Sequence, residues 1–169
     1  MKKWILPIII LLCAAIFIIG YTNNKVPRPD TNLEFWICDN VETVDFSDYQ
    51  EKFGLMGGRE YYGSGYVPTT NENGEQIDPE HCVIYTVTSY PDYSSGKSHI
   101  TRIAITDPAV ELFGLTLNSS KNDIHSTMEN NGFKLKGYYE YEKGKVHIRF
   151  TDNCIMIRVD VSNFFGIQF

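Results

Sequence analysis

FKLKGYYEYEKGKVHIRFTDNCIMIRVDV, residues 133–161, alternates apolar and polar side chains along most of its length. Phe133, Leu135, Tyr139 and Tyr141 interleave with Lys134, Lys136, Glu140 and Glu142. Gly144 marks a turn. Val146, Ile148 and Phe150 then interleave with His147, Arg149 and Thr151, and Asp152–Asn153 marks a second turn. Ile155, Ile157, Val159 and Val161 interleave with Met156, Arg158 and Asp160. Period two over three runs joined by short turns predicts an antiparallel meander with one buried face. Something must cover that face. Immediately upstream, Ser120 is an N-cap for a helix over 121–131, with Asp123 in the capping-box position and Gly132 as the stop. Ile124 and Met128 stand four apart, so both face one side of that helix.

The first half repeats the plan less regularly. LEFWIC (33–38) reads as a strand. Ser47 caps a short helix over 48–53, ended by Gly54. Strand candidates follow at 59–67, 81–90 and 98–106, with turn signals at Asn73–Gly74 and over 91–97. Two units of one helix plus three strands in tandem would build a continuous sheet with both helices on one face. The fold class expected is therefore α+β: an N-terminal transmembrane helix, then an antiparallel sheet with one or two short helices packed on one face.

The transmembrane element of that expectation comes from residues 4–21, eighteen residues without a charge, behind Lys2 and Lys3. As a helix they would extend about 27 Å, close to the thickness of a bilayer core. The positive-inside rule keeps the lysines in the cytoplasm and puts the rest outside. The domain organisation expected is a cytoplasmic tip (1–3), a signal anchor (4–21), a linker containing Pro27 and Pro29 (22–33) and an extracytoplasmic domain (34–169). This implies single-pass localisation at the cell membrane. A cleaved signal peptide and a lipoprotein signal at Cys13 are the alternative readings, and both also export the domain.

About 148 residues follow the apolar run, enough for one domain with a real core. Lys2 and Lys3 precede it, leaving 13 basic against 21 acidic residues and a net charge of −8. Such a balance disfavours nucleic acid and anionic headgroups as partners. Three cysteines remain, Cys38, Cys82 and Cys154, so at most one internal disulfide can form. A bridge would first be sought between Cys38 and Cys82; the other reading leaves all three as plain half-buried strand residues.

The run LTLNSSKNDIHSTMENN (115–131), then YEY (139–141), GKVHIRF (144–150) and the strand at 155–161 resembles the repeat of β-lactamase-inhibitor-protein-like domains and small outer-membrane assembly lipoproteins. The lead-in FGLTLN (113–118) is similar to their glycine-centred motif, whereas their Leu-Gly after the helix is replaced by Asn131–Gly132. FWICDNVETVDFSDY, HCVIYTVTSYPDY and TRIAITDP also resemble uncharacterised membrane-anchored proteins of low-GC Gram-positive bacteria. The first resemblance implies a mostly non-catalytic role, binding other proteins through an exposed sheet face. It assigns no site residue.

No catalytic, metal or cofactor site is expected. His81, His99, His125 and His147 do not pair at ligand spacings such as HxxxH. His81–Cys82 is the one adjacent Cys/His pair, and successive strand side chains point to opposite faces. GxSxG is absent. The glycines at 57–58 and 63–65 lack a following Lys-Ser/Thr, and residues 69–80 miss a calcium loop at its first position. The positive feature is tyrosine. Tyr61, Tyr62, Tyr66, Tyr90, Tyr93 and Tyr138 fall in loops or at outward positions, and tyrosine supplies large amphipathic contact area at low entropic cost. The functional expectation is a membrane-tethered extracytoplasmic module that binds an envelope protein or cell-wall polymer without catalysis. The alternatives are a sensor or enzyme inhibitor of β-lactamase-inhibitor type and, behind these, a hydrolase.

Overall fold

The computed structural model describes residues 28–53, 59–63, 81–88 and 98–160. Eight antiparallel strands form one sheet: β1 (Gln50–Phe53), β2 (Arg59–Tyr62), β3 (Val83–Thr88), β4 (His99–Ile105), β5 (Lys134–Gly137), β6 (Glu140–Lys143), β7 (Val146–Phe150) and β8 (Ile155–Val159). Their order in space is β1-β2-β3-β4-β8-β7-β6-β5. Each half of the chain is thus a four-stranded meander, and the two meet where β4 pairs with β8. One α-helix, α1 (Lys121–Asn130), stands between them in sequence.

The second half follows its hydrophobic pattern closely. Ser120 caps α1 by accepting from the Asp123 N–H at 3.2 Å, and its own hydroxyl donates to Asp123 Oδ2 at 2.7 Å. Ile124 and Met128 are buried. Gly144 has φ +61° in the two-residue turn between β6 and β7, a left-handed conformation that glycine adopts without a Cβ penalty. Tyr141, Val146, Ile148, Phe150, Ile155 and Ile157 all point to the covered face and are buried. The run at 133–141 differs from expectation. It is two strands, because Tyr138 and Tyr139 form a turn with Tyr139 at φ 51°. The register shifts between Leu135 and Gly137, and Leu135 is left exposed.

The first half departs further. Residues 48–53 are not a helix: Gln50, Glu51, Lys52 and Phe53 pair with Tyr62, Tyr61, Glu60 and Arg59. A strand partner six to twelve residues away outweighs the local capping signal of Ser47, and Phe46 and Tyr49 turn toward the core instead. Phe46 stacks on Tyr61 at 4.0 Å between ring centroids, and Phe35 meets Tyr85 edge-on at 5.3 Å. Residues 33–38 are not a strand either. Leu33, Phe35, Trp36 and Ile37 are all buried, held by hydrogen bonds from Cys38 N–H to Ile100 O and from Ile100 N–H to Asp39 O. This irregular strap joins Val110, Leu112 and Leu115 in the core cluster, while Ile124 and Met128 of α1 join it from the second half.

The expected α+β class is corrected accordingly: the described residues are an eight-stranded antiparallel sheet with a single α-helix. Among them no helix is long and apolar enough to cross a membrane. Helix α1 has 10 residues, about 15 Å, half of what a span requires. The transmembrane-helix, signal-anchor and single-pass cell-membrane readings are corrected with it. The stretch that suggested them, 4–21, lies outside the described residues, as do the tip at 1–3, most of the linker, Cys13, the turn at Asn73–Gly74 and the segment 69–80.

Ile157 is fully buried and pairs with Ile103 across the seam and Ile148 in the hairpin. Ile157→Ala is expected to cost about 3 kcal/mol through lost burial and a residual cavity. Urea unfolding checks this, and a loss near zero would mean the seam is not a packed core.

Candidate functional site

Alternation leaves the other sheet face uncovered by any element among the described residues, and the registers set out its contents in rows. One row runs Tyr62, Ile84, Ala104, Met156, Arg149, Glu140 across β2, β3, β4, β8, β7 and β6. The next runs Glu60, Thr86, Arg102, Arg158, His147, Glu142. A sheet face turned to solvent ordinarily carries polar residues. Here the centre of the first row is Ile84, Ala104 and Met156, all half-buried.

Beside that stripe lie three arginines. Arg102 is directly opposite Arg158, and Arg149 faces Met156. A concavity of about 320 Å³ opens among Arg102, Glu140, His147, Arg149, Met156 and Arg158. Glu140 Oε1 accepts from Arg158 Nη2 at 3.0 Å and lies 3.5 Å from His147 Nδ1. The other ring nitrogen, His147 Nε2, is 2.9 Å from Asp160 Oδ2. The Nδ1 approach lacks hydrogen-bond geometry, so this buried nitrogen has no hydrogen-bond partner among the described residues. Arg102 and Arg149 are exposed and form no ion pair among the described residues. One carboxylate therefore answers three guanidinium groups. Like charges directly opposite on paired strands are destabilising, and among the described residues Glu140 is the one carboxylate ion-paired with these arginines.

The tyrosines named from the sequence fall apart in space. Tyr61 faces the core and is buried against Phe46. Tyr62 points the other way, onto the open face, with Lys52 Nζ 5.0 Å from its ring centroid. Tyr138 is 78% exposed at the β5–β6 turn, the far edge of the sheet. Tyr66, Tyr90 and Tyr93 lie outside the described residues. Sequence reading missed Arg102, Arg149 and Arg158 as a group. Arg149 and Arg158 stand at outward strand positions between apolar neighbours and Arg102 between Thr101 and Ile103, and that is the one signal each gives. Their meeting depends on the β4–β8 pairing.

Cys38 and Cys82 are not joined by a disulfide, so the Cys38–Cys82 bridge does not form. Cys82 is buried while His81 is exposed at φ 55°, which keeps the pair apart. Burial raises the Cys82 thiol above its ordinary range. Burial, followed by the neighbouring Asp39 carboxylate, pushes Cys38 up to about 11. Neither is an activated nucleophile. A second concavity, about 200 Å³, lies by Glu34, Tyr49, His81 and Asp107. There the Tyr49 hydroxyl donates to Glu34, and burial together with that bond raises the tyrosine. Among the described residues no three His, Cys, Asp or Glu side chains converge as a metal site.

Comparison with protein-family models, with curated proteins and with solved structures returned no match. The family resemblances in the sequence thus stand as resemblances, and function rests on the geometry of the sheet face.

Arg102→Glu would place a carboxylate opposite Arg158. The protein is expected to gain roughly 0.2–1 kcal/mol, and the gain should shrink in high salt. Urea midpoints at low and high salt measure both; a lowered midpoint would show that Arg102 is stabilising as it stands. The Cys38 thiol is expected to make stability fall in alkali. Its folded value lies above its ordinary 9.0, so the neutral thiol's contribution is complete below pH 9 and is lost as pH rises toward about 11. The stability gap between the parent and Cys38→Ala should narrow across that window. A gap independent of pH would refute the assignment.

Proposed function

We propose that this protein is a non-catalytic binding module that presents the open face of its sheet to another protein. The observation that carries this reading is the apolar row Ile84, Ala104, Met156 at the centre of an otherwise solvent-facing sheet, continued by Tyr62. Methionine, tyrosine and arginine are enriched at protein interfaces, and arginine and tyrosine supply many of the contacts that dominate affinity. The three lie together here. The face spans strands from both halves of the chain, so it is broad and held by backbone hydrogen bonds rather than by loops. Rigidity of that kind lowers the ordering cost of association. The concavity beside the stripe is lined by arginine, glutamate, histidine and methionine and has no serine, threonine or cysteine among its lining residues to serve as a nucleophile.

The test is affinity capture with the full chain and with the double variant Ile84→Glu/Met156→Glu, alongside Asn122→Asp on the exposed side of α1 as a control. Specific partners are expected to fall about tenfold in recovery with the double variant and to be unaffected by the control, with circular dichroism confirming that both variants fold. Equal recovery from all three baits would rule out this face.

A further inference from the structure

Resting on that reading of the face, we propose that its partner is an acidic polypeptide segment whose carboxylates are bound by Arg102, Arg149 and Arg158 while its apolar side chains cover Met156 and Ile84. The chain as a whole is acidic, with a net charge of −6. A cluster of three arginines at the middle of its sheet therefore stands out against the background of its own surface. Guanidinium groups meet carboxylates in a planar, two-point geometry that lysine cannot reproduce, and in the described part of these two rows lysine is confined to the outer strands β1 and β5 (Lys52 and Lys134).

The spacing fits. Arg102 and Arg158 are on neighbouring strands, about 5 Å apart at the backbone. Arg149 is one register step along and one strand over from Arg158, a diagonal of about 7–8 Å. Arg102 and Arg149 are two strands and one register step apart, about 12 Å at the backbone, and side chains four positions apart on an extended peptide repeat at about 13 Å, so two carboxylates on one side of such a segment can reach both. The balance of charge fits as well. Glu140 engages Arg158 at 3.0 Å, and Arg102 and Arg149 form no ion pair among the described residues. Two guanidinium groups are available for incoming carboxylates.

A phosphate-rich polymer would satisfy the arginines but leave the Ile84–Ala104–Met156 row uncovered. A polypeptide that carries leucine or a similar residue beside its carboxylates uses both halves of the face.

The experiment is fluorescence anisotropy with the full chain and three labelled probes: a short peptide of glutamate and leucine, the same peptide with glutamine for glutamate, and poly(glycerol phosphate). The acidic peptide is expected to bind, to weaken as salt rises, and to lose at least about tenfold in affinity in Arg102→Gln/Arg149→Gln. The glutamine peptide is expected to bind about tenfold more weakly or not at all. Equal binding of the two peptides, indifference to the arginine variant, or preference for the phosphate polymer would each overturn the proposal. If the acidic peptide fails while Ile84→Glu/Met156→Glu still abolishes capture of a partner, the chemistry assigned to the partner is wrong and the binding face stands. If the double variant captures as well as the parent, the face itself is wrong.

Discussion

The two four-stranded meanders meet along one seam, the antiparallel pairing of β4 with β8. Ile103 faces Ile157 and Ile105 faces Ile155 across it, and all four are completely buried. Without this pairing each meander would carry an extra open edge and only half of the shared hydrophobic face. Outward from the seam the order is the same on both sides, from the last strand of each half to its first. What covers the two halves differs. Helix α1 lies over one through Ile124 and Met128, and the irregular strap with Phe35, Trp36 and Ile37 lies over the other.

The same seam determines the chemistry of the open face. Hydrogen bonding that aligns Ile103 with Ile157 on one side also aligns Arg102 with Arg158 on the other, because adjacent strand residues point to opposite faces. Local rules of sheet stability would not place two arginines there, nor Met156 and Ile84 in solvent-facing positions. Departures of this kind from otherwise consistent design are where function is expected to reside.

The edges are handled differently from the centre. β5, at one end of the sheet, is four residues long, carries Lys134 and Lys136 and is exposed throughout. Short strands with lysine discourage pairing with other chains. Such protection directs association to the face of the sheet rather than to that edge.

The sequence by itself determined what is local. Alternation set β7 and β8 and which of their residues are buried, the Ser120 cap and the Ile124/Met128 pair set α1, and Gly144 set a turn. It misread Asp48–Phe53 because Ser47 and Gly54 are helix punctuation, and only the pairing of Gln50–Phe53 with β2 shows otherwise. It misread Leu33–Cys38 because buried apolar runs look like strands whether or not a partner is available for their hydrogen bonds. It read Tyr61 and Tyr62 alike, although one is core and one is surface. Tertiary structure alone decided the β4–β8 seam, which joins residues 50 to 56 positions apart. Arg102, Arg149 and Arg158 are unremarkable outward residues until that seam closes, since register is a property of two strands and neither carries it alone.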